Sequence, residues 1–119
     1  MQANKNIKFD LEERTARFGE NVIIFCRTIP KDIVTASLIT QLIKCATSIG
    51  ANYCEADDAE SKLDFKHKIG ISKKEAREAK HFLRMLATAL PGKSDEIKLL
   101  WSEARELNLI LNAIYIKVS

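Results

Sequence analysis

The sequence predicts an all-α protein, an antiparallel up-down-up-down four-helix bundle, on three observations. The chain of 119 residues contains only 4 Gly and 2 Pro, too few for the turns of a β-sandwich. Apolar residues recur at helical spacing along four segments. Only short connections separate these segments, and short connections between long helices favour antiparallel neighbours.

The first segment predicts a helix from about Asp10 to Thr28. Its inward face repeats at helical spacing and consists of Leu11, Phe18, Val22 and Phe25. Pro30 ends the helix, because proline lacks the amide proton and disfavours helix in the preceding residue. Residues 1–9 are predicted to be a loose N-terminal segment, and residues 10–119 to form a single domain.

The second segment predicts a helix from about Asp32 to Asp57 with two apolar sides. The core face comprises Val34, Leu38, Leu42, Cys45, Ile49, Asn52 and Ala56. A second set, also apolar or small, lies almost opposite: Ala36, Ile39, Ile43, Gly50 and Cys54. A helix that is apolar nearly all round must be covered on more than one side. We therefore interpret the second set as a subunit interface of a homo-oligomer.

The third and fourth helices follow a turn near residue 60 and a Pro91-Gly92 breaker. Ser61 is expected to cap the third helix, which reaches about Leu90. Its core face is Phe65, Ile69, Ala76, Ala79, Leu83, Leu86 and Leu90. Ser94, Asp95 and Glu96 open the fourth helix, whose inward face is Ile97, Leu100, Ala104, Leu107, Leu111 and Ile114.

Composition and cysteine usage point to the cytoplasm. Cys26, Cys45 and Cys54 form no CxxC pair and are odd in number, which argues against a disulfide framework or a zinc site and for buried thiols in a reducing compartment. No secretory signal and no run of 18 apolar residues is evident, so neither export nor a membrane span is expected.

Neither metal binding nor catalysis is predicted. Glu78-x-x-His81 and Asp64-x-x-His67 match elements of di-iron bundles, but that design needs such motifs on two different helices. The two histidines lie 14 residues apart on one helix, about 21 Å, too far to share a metal ion. No phosphate loop, dinucleotide fingerprint or cysteine–histidine pair is recognisable, so we expect no cofactor and no enzyme.

A basic stripe is predicted on the third helix. Net charge is only +3, but residues 61–90 carry 8 basic and 3 acidic side chains. Six of the basic residues fall on one side of the helix over about 33 Å, here called the basic stripe: Lys62, Lys66, Lys73, Arg77, Lys80 and Arg84. Such a stripe can follow a phosphate backbone. From the stripe alone, the favoured interpretation is a solvated helix face, partly paired with Glu75 and Glu78. It has no interleaved aromatic residues of its own.

Polar residues at inward positions form a second candidate group: Ser48, Asn52, Glu55, Ser72 and Glu75. If helices two and three pair about residue 60, Ser48 faces Ser72 and Asn52 comes near Ile69. Small residues at that level allow the helices to approach closely, and buried polar groups need hydrogen-bond partners. We interpret the group as a structural network that sets helix register rather than as an active site.

Two stretches carry a family resemblance. Residues 47–56, TSIGANYCEA, resemble the S-I-x-x-N-x-x-E signature of the bacterial four helix bundle protein family, encoded in intervening sequences of 23S rRNA genes. Residues 64–83, with DFKHKI, KEARE and FL, resemble that family's third helix. The family is in turn similar to the accessory variability-determinant proteins of diversity-generating retroelements.

The resemblance implies a ring-shaped homo-oligomer, a pentamer, and no enzyme. It strengthens the hypothesis that the basic stripe binds RNA or DNA backbone as an accessory factor. The alternative it leaves open is a protein-interaction scaffold that recruits a partner such as a reverse transcriptase and has no nucleic-acid role of its own. Fold alone does not decide between the two.

Overall fold

The computed structural model describes residues 3–118, with the side chains of residues 11–118, and within that range the chain is a four-helix bundle. The helices are α1 (Ala3–Cys26), α2 (Ile33–Asp57), α3 (Lys62–Ala89) and α4 (Ser94–Lys117), with a 3-10 turn, Pro91–Lys93, before α4. Each helix packs on the next, and α1 also contacts α4. The predicted all-α, up-down-up-down architecture is confirmed.

Side-chain caps fix the starts of α2 and α3. The Asp32 carboxylate accepts hydrogen bonds from the Val34 and Thr35 amides, both at 2.9 Å, and the Thr35 hydroxyl accepts the Asp32 amide proton at 2.9 Å. This reciprocal pair is a capping box. The Ser61 hydroxyl accepts the Asp64 amide proton at 3.0 Å. The predicted starts of both helices are therefore confirmed.

The first helix begins earlier than the sequence predicts. It starts at Ala3, so residues 3–9 are helical where loose chain was expected, while Met1 and Gln2 lie outside the described residues. No glycine or proline interrupts the chain between residues 3 and 18, and helical hydrogen bonds are local, so α1 extends over polar residues. It ends at Cys26, before Pro30.

All four helices contribute to one hydrophobic core. The predicted inward faces of α1, α3 and α4 are buried or packed against this core. Val34 is the exception on α2, because its side chain is 55% exposed. Thr35 takes the inward position instead. Its hydroxyl is occupied by the capping box and donates to the Pro30 carbonyl at 3.0 Å, so burial leaves no polar group unpaired.

A single buried hydrogen bond marks the register between α2 and α3. Ser72 is fully buried, and its hydroxyl donates to the Ile49 carbonyl at 2.8 Å. This lies within one residue of the register predicted from a turn near residue 60. Ala46, Ala76 and Ala79 are also fully buried, and such small residues allow the two backbones to approach closely.

Charged groups join α1 to α4, the pair that closes the bundle. The Arg14 guanidinium donates to both carboxylate oxygens of Glu103, at 2.7 and 2.8 Å, and to Glu106 at 2.7 Å. These hydrogen bonds raise the pKa of Arg14, which stays charged. A bidentate guanidinium–carboxylate pair fixes orientation as well as distance.

The second helix is long and apolar enough to cross a membrane by length and composition. The core helix of a globular bundle meets the same criterion. Eight of its residues are buried inside the bundle: Thr35, Ile39, Leu42, Cys45, Ala46, Ile49, Tyr53 and Ala56. Packing within one chain thus accounts for part of its apolar character.

We predict that Ser72→Ala lowers the free energy of unfolding by about 0.5–1.5 kcal/mol, because a buried hydrogen bond is lost. Urea denaturation followed by circular dichroism measures the change. Ser102→Ala, at an exposed position of α4, is the matched control and should shift stability by less than about 0.5 kcal/mol. Equal stability of wild type and Ser72→Ala would contradict the role given to this hydrogen bond.

Candidate nucleic-acid interface

The basic stripe lies along the side of α3 that borders α4. Lys62, Arg77 and Arg84 are exposed, whereas Lys66, Lys73 and Lys80 are half-buried. The six residues thus divide into outward-pointing cations and cations held against the protein surface. This division was not foreseen from the sequence, since it depends on what the neighbouring helix presents.

Aromatic rings from α4 hold the three half-buried lysines. The Lys66 and Lys73 ammonium groups lie over the Tyr115 ring, 4.8 and 4.3 Å from its centroid, and the Lys80 ammonium lies 5.7 Å from the Trp101 ring. A cation over a ring face is attracted by the ring quadrupole. The stripe therefore has aromatic neighbours after all, contributed by another helix.

Two of the three lysine–aromatic contacts, Lys66–Tyr115 and Lys80–Trp101, repeat at one spacing. Lys66 and Lys80 are 14 residues apart on α3, and Tyr115 and Trp101 are 14 residues apart on α4. Because the helices are antiparallel, one register places both rings beside the stripe, about four turns from each other. This equal spacing of lysines on α3 and aromatic residues on α4 could have been found in the sequence by comparing the two helices with each other.

A groove of about 600 Å³ runs between α3 and α4 beside Tyr115. It is lined by His67, Gly70, Ile71, Lys73, Lys74, Arg77, Asn108, Asn112 and Tyr115. The lining contains no carboxylate. The charge of the lining is therefore positive. The side-chain amides of Asn108 and Asn112 and the rings of His67 and Tyr115 also line the groove.

Two asparagines of α4 position the lysine at the centre of this groove. The Asn108 side-chain amide donates to the Lys73 carbonyl at 2.8 Å, and the Lys73 ammonium donates to the Asn112 side-chain oxygen at 2.8 Å. Lys73 is thus fixed by Asn112 and by the Tyr115 ring. Sequence reasoning missed both asparagines, although polar residues four apart on a mostly apolar helix were a usable signal.

No stripe residue forms an ion pair with a carboxylate among residues 11–118. Glu75 and Glu78 lie on the same helix but form none with the stripe, contrary to the partial pairing that a solvated face would have. Burial, and then the charge of Glu78, raises the pKa of Glu75 above its ordinary value. Elsewhere lysines do pair, as Lys68 does with Glu55 at 2.6 Å. The positive charge of the stripe is therefore not neutralised internally.

The five residues of the predicted polar group do not form one connected hydrogen-bond network. Asn52 donates to the Ser48 carbonyl and hydroxyl, both at 2.9 Å, within α2. Ser72 bonds the backbone of Ile49 rather than Ser48, and Glu55 is exposed and pairs with Lys68. The Ser72 hydrogen bond and the Glu55–Lys68 ion pair are polar contacts that join α2 to α3.

The five residues of the predicted subunit interface differ in exposure, and some of them are covered by the chain itself. Ile39 is buried within one chain, with 8% of its surface exposed, and Ile43 packs against the core. Gly50 faces α1, where an added Cβ would lie 3.2 Å from the Thr15 hydroxyl oxygen. Only Ala36 and Cys54 of the five are exposed. The helix α1 covers part of the side of α2 that the sequence assigned to a partner.

The thiols are poorly suited to nucleophilic chemistry. Burial raises the pKa of Cys26 to about 11 and that of Cys45 to about 12, so both stay protonated at neutral pH. The prediction of buried thiols is wrong for Cys54, which is exposed, although desolvation still raises its pKa. His67 and His81 are both exposed, and within residues 11–118 no group of three His, Cys, Asp or Glu side chains is arranged to hold a metal ion.

Comparison with known proteins places this fold in a family. A solved structure described as a protein with unknown function from the S23 ribosomal protein family of Bacteroides thetaiotaomicron is similar, with a TM-score of 0.79 and 26% sequence identity. The match covers 88% of this chain and 97% of that one. No curated protein matches the chain. The family model described as 23S rRNA-intervening sequence protein matches residues 8–113, and the chain therefore belongs to that family.

Proposed function

We propose that the protein is a non-enzymatic, homo-oligomeric accessory factor of the cytoplasm that binds the backbone of RNA or DNA through the basic stripe. The observation that carries the proposal is a row of six cations with no carboxylate partner among the described side chains. An unpaired row of this kind is positioned to bind a row of external anions.

The geometry of the stripe suits a phosphate backbone. The six cations extend along about 33 Å of α3, and binding them to phosphates would release condensed counterions. Lys66, Lys73 and Lys80 lie against aromatic rings, so less side-chain freedom is lost when they bind. Lys62, Arg77 and Arg84 extend into solvent and can adjust to the spacing of the ligand.

The family supports RNA as the first ligand to examine. Its description refers to intervening sequences of 23S rRNA, and the similar solved structure is described as a member of the S23 ribosomal protein family. Neither description assigns a function. The choice of an rRNA segment as probe rests on these descriptions, whereas the binding surface is argued from the charges.

We predict that Arg77→Glu/Arg84→Glu weakens binding to a fluorescently labelled rRNA-derived RNA at least tenfold at low salt, because two exposed phosphate contacts become repulsive. Fluorescence anisotropy measures the affinity. For the wild type, the logarithm of affinity should fall with the logarithm of salt concentration with a slope of about −4 to −5 if all six cations contact phosphates.

The matched control is Arg27→Glu/Lys31→Glu, which makes the same change in net charge at exposed positions between α1 and α2. It should retain most of the affinity. Wild-type binding that is absent at low salt, or indifferent to salt, would reject the proposal. Retained capture of a partner protein, such as a reverse transcriptase, by a variant that no longer binds RNA would instead favour the scaffold function.

We propose in addition that the protein is a pentameric ring in which the exposed part of α2 contacts a second copy. Ile33 is 90% exposed and Val34 55% exposed, and Ala36 is also exposed in the next part of the same helix. These residues lie in the first two turns of α2. An apolar patch at this place is suited to burial against an identical subunit.

We predict that Ala36→Glu reduces the mass measured by light scattering, because a charge would be buried in the contact between copies. Ser102→Glu, which adds the same charge at an exposed position of α4, serves as control and should keep the wild-type mass. Ile43→Asp tests the half-buried part of the same side, with circular dichroism to separate dissociation from unfolding. An unaltered mass in folded Ala36→Glu and Ile43→Asp would refute this interface.

A further inference from the structure

We infer that the groove between α3 and α4 is a site for one nucleotide of a single strand, with the base stacked on Tyr115 and the phosphate bound by Lys73, Lys74 and Arg77. The inference deepens the proposed function and rests on it. It makes single-stranded nucleic acid, rather than duplex, the preferred ligand of the stripe.

The lining of the groove matches the chemistry of a nucleotide. Three permanent cations, Lys73, Lys74 and Arg77, face a space of about 600 Å³ whose lining contains no carboxylate. A volume of that size lies in the range of small-molecule sites in proteins. The side chains of Asn108 and Asn112 add amide groups, which hydrogen-bond to polar edges such as those of nucleobases.

A glycine lets the Tyr115 ring lie close against α3. A Cβ on Gly70 would lie 3.1 Å from Tyr115 Cε1, which is tighter than nine in ten real contacts of a Cβ atom. Glycine in the interior of a helix costs stability relative to alanine. The close approach of the Tyr115 ring to α3 explains why the residue at this position is a glycine. The ring is therefore held as a flat platform at the edge of the groove.

The two lysines over the ring are held unequally, so a stacking base would displace Lys66 rather than Lys73. Lys73 is fixed by the Asn112 side chain as well as by the ring, whereas among the described residues the Lys66 ammonium has the ring contact alone, at 4.8 Å. At an exposed site a cation over a ring contributes less than a stacked base does. A base can displace Lys66 from the ring, and the freed ammonium can then bind the adjacent phosphate.

A platform of this kind discriminates between single and double strands. Bases in a duplex are stacked on one another, so their faces are not accessible to Tyr115. Unstacked bases of a single strand offer a π-face, and stacking on an aromatic side chain tolerates any base. The basic stripe attracts the phosphates of single strands and duplexes alike. The groove adds a stacking contact that only the single strand can make.

The test compares a short single-stranded RNA with a blunt duplex of the same sequence, using anisotropy on the full chain at one low salt concentration. Tyr115→Leu should weaken single-strand binding about 5- to 100-fold, as expected from loss of one stacked base. It should weaken duplex binding clearly less, because the duplex loses only the hold of the ring on Lys66 and Lys73. Tyr115→Phe, which keeps the ring, should bind the single strand like wild type.

A second variant keeps the test independent of the tyrosine itself. Gly70→Ala improves helix propensity, so the fold is retained, but its Cβ must shift the Tyr115 ring. It should weaken single-strand binding at least twofold and leave duplex binding unchanged. Circular dichroism of each variant verifies that helicity is retained.

The outcomes separate this inference from the proposed function. If Arg77→Glu/Arg84→Glu weakens binding of both RNAs while Tyr115→Leu and Gly70→Ala alter neither, the groove site is overturned and the stripe remains. Equal losses on single strand and duplex in Tyr115→Leu would also overturn the groove site. If the wild type binds neither RNA, the proposed function itself is rejected.

Discussion

The close antiparallel packing of α3 against both of its neighbours is the constraint on which the molecule depends. On one side, fully buried Ser72 bonds the Ile49 carbonyl and keeps α3 in one register with α2. On the other side, Lys73 bonds Asn112 and Asn108 bonds the Lys73 backbone, which sets the register with α4. A helix held on two sides by directional contacts can present its third side, the basic stripe, as a defined surface.

Positive charge at this surface is stabilised without being neutralised. Ring faces of Tyr115 and Trp101 attract the lysines above them, and the asparagine amide oxygen adds a hydrogen bond. Neither partner carries a negative charge. By contrast, the Arg14 cluster that joins α1 to α4 pairs one cation with two carboxylates. Carboxylates thus pair with the cation that joins α1 to α4, whereas neutral partners hold Lys66, Lys73 and Lys80 along the stripe.

Helical periodicity was sufficient to predict four helices and most of their inner faces, because apolar repeats are a local property of the sequence. The stripe could be predicted for the same reason. Contacts that depend on the register between helices could not be predicted in this way. Tyr115 and Asn112, for example, contact the stripe from α4. The outer side of α2 was assigned to a partner because its apolar content is visible in the sequence, whereas the cover that α1 provides at Gly50 is not. Thr35 is buried in place of Val34 because a capping box satisfies its hydroxyl.

The chain contains one tryptophan, and that residue lies beside the stripe under the Lys80 ammonium. Indole emission responds to nearby charge and to solvent access, and the ring is half-buried. The intrinsic fluorescence of the unlabelled protein therefore reports on the surroundings of the basic stripe, because Trp101 is its single tryptophan. Whatever displaces Lys80 or covers Trp101 will change the colour or intensity of that single signal.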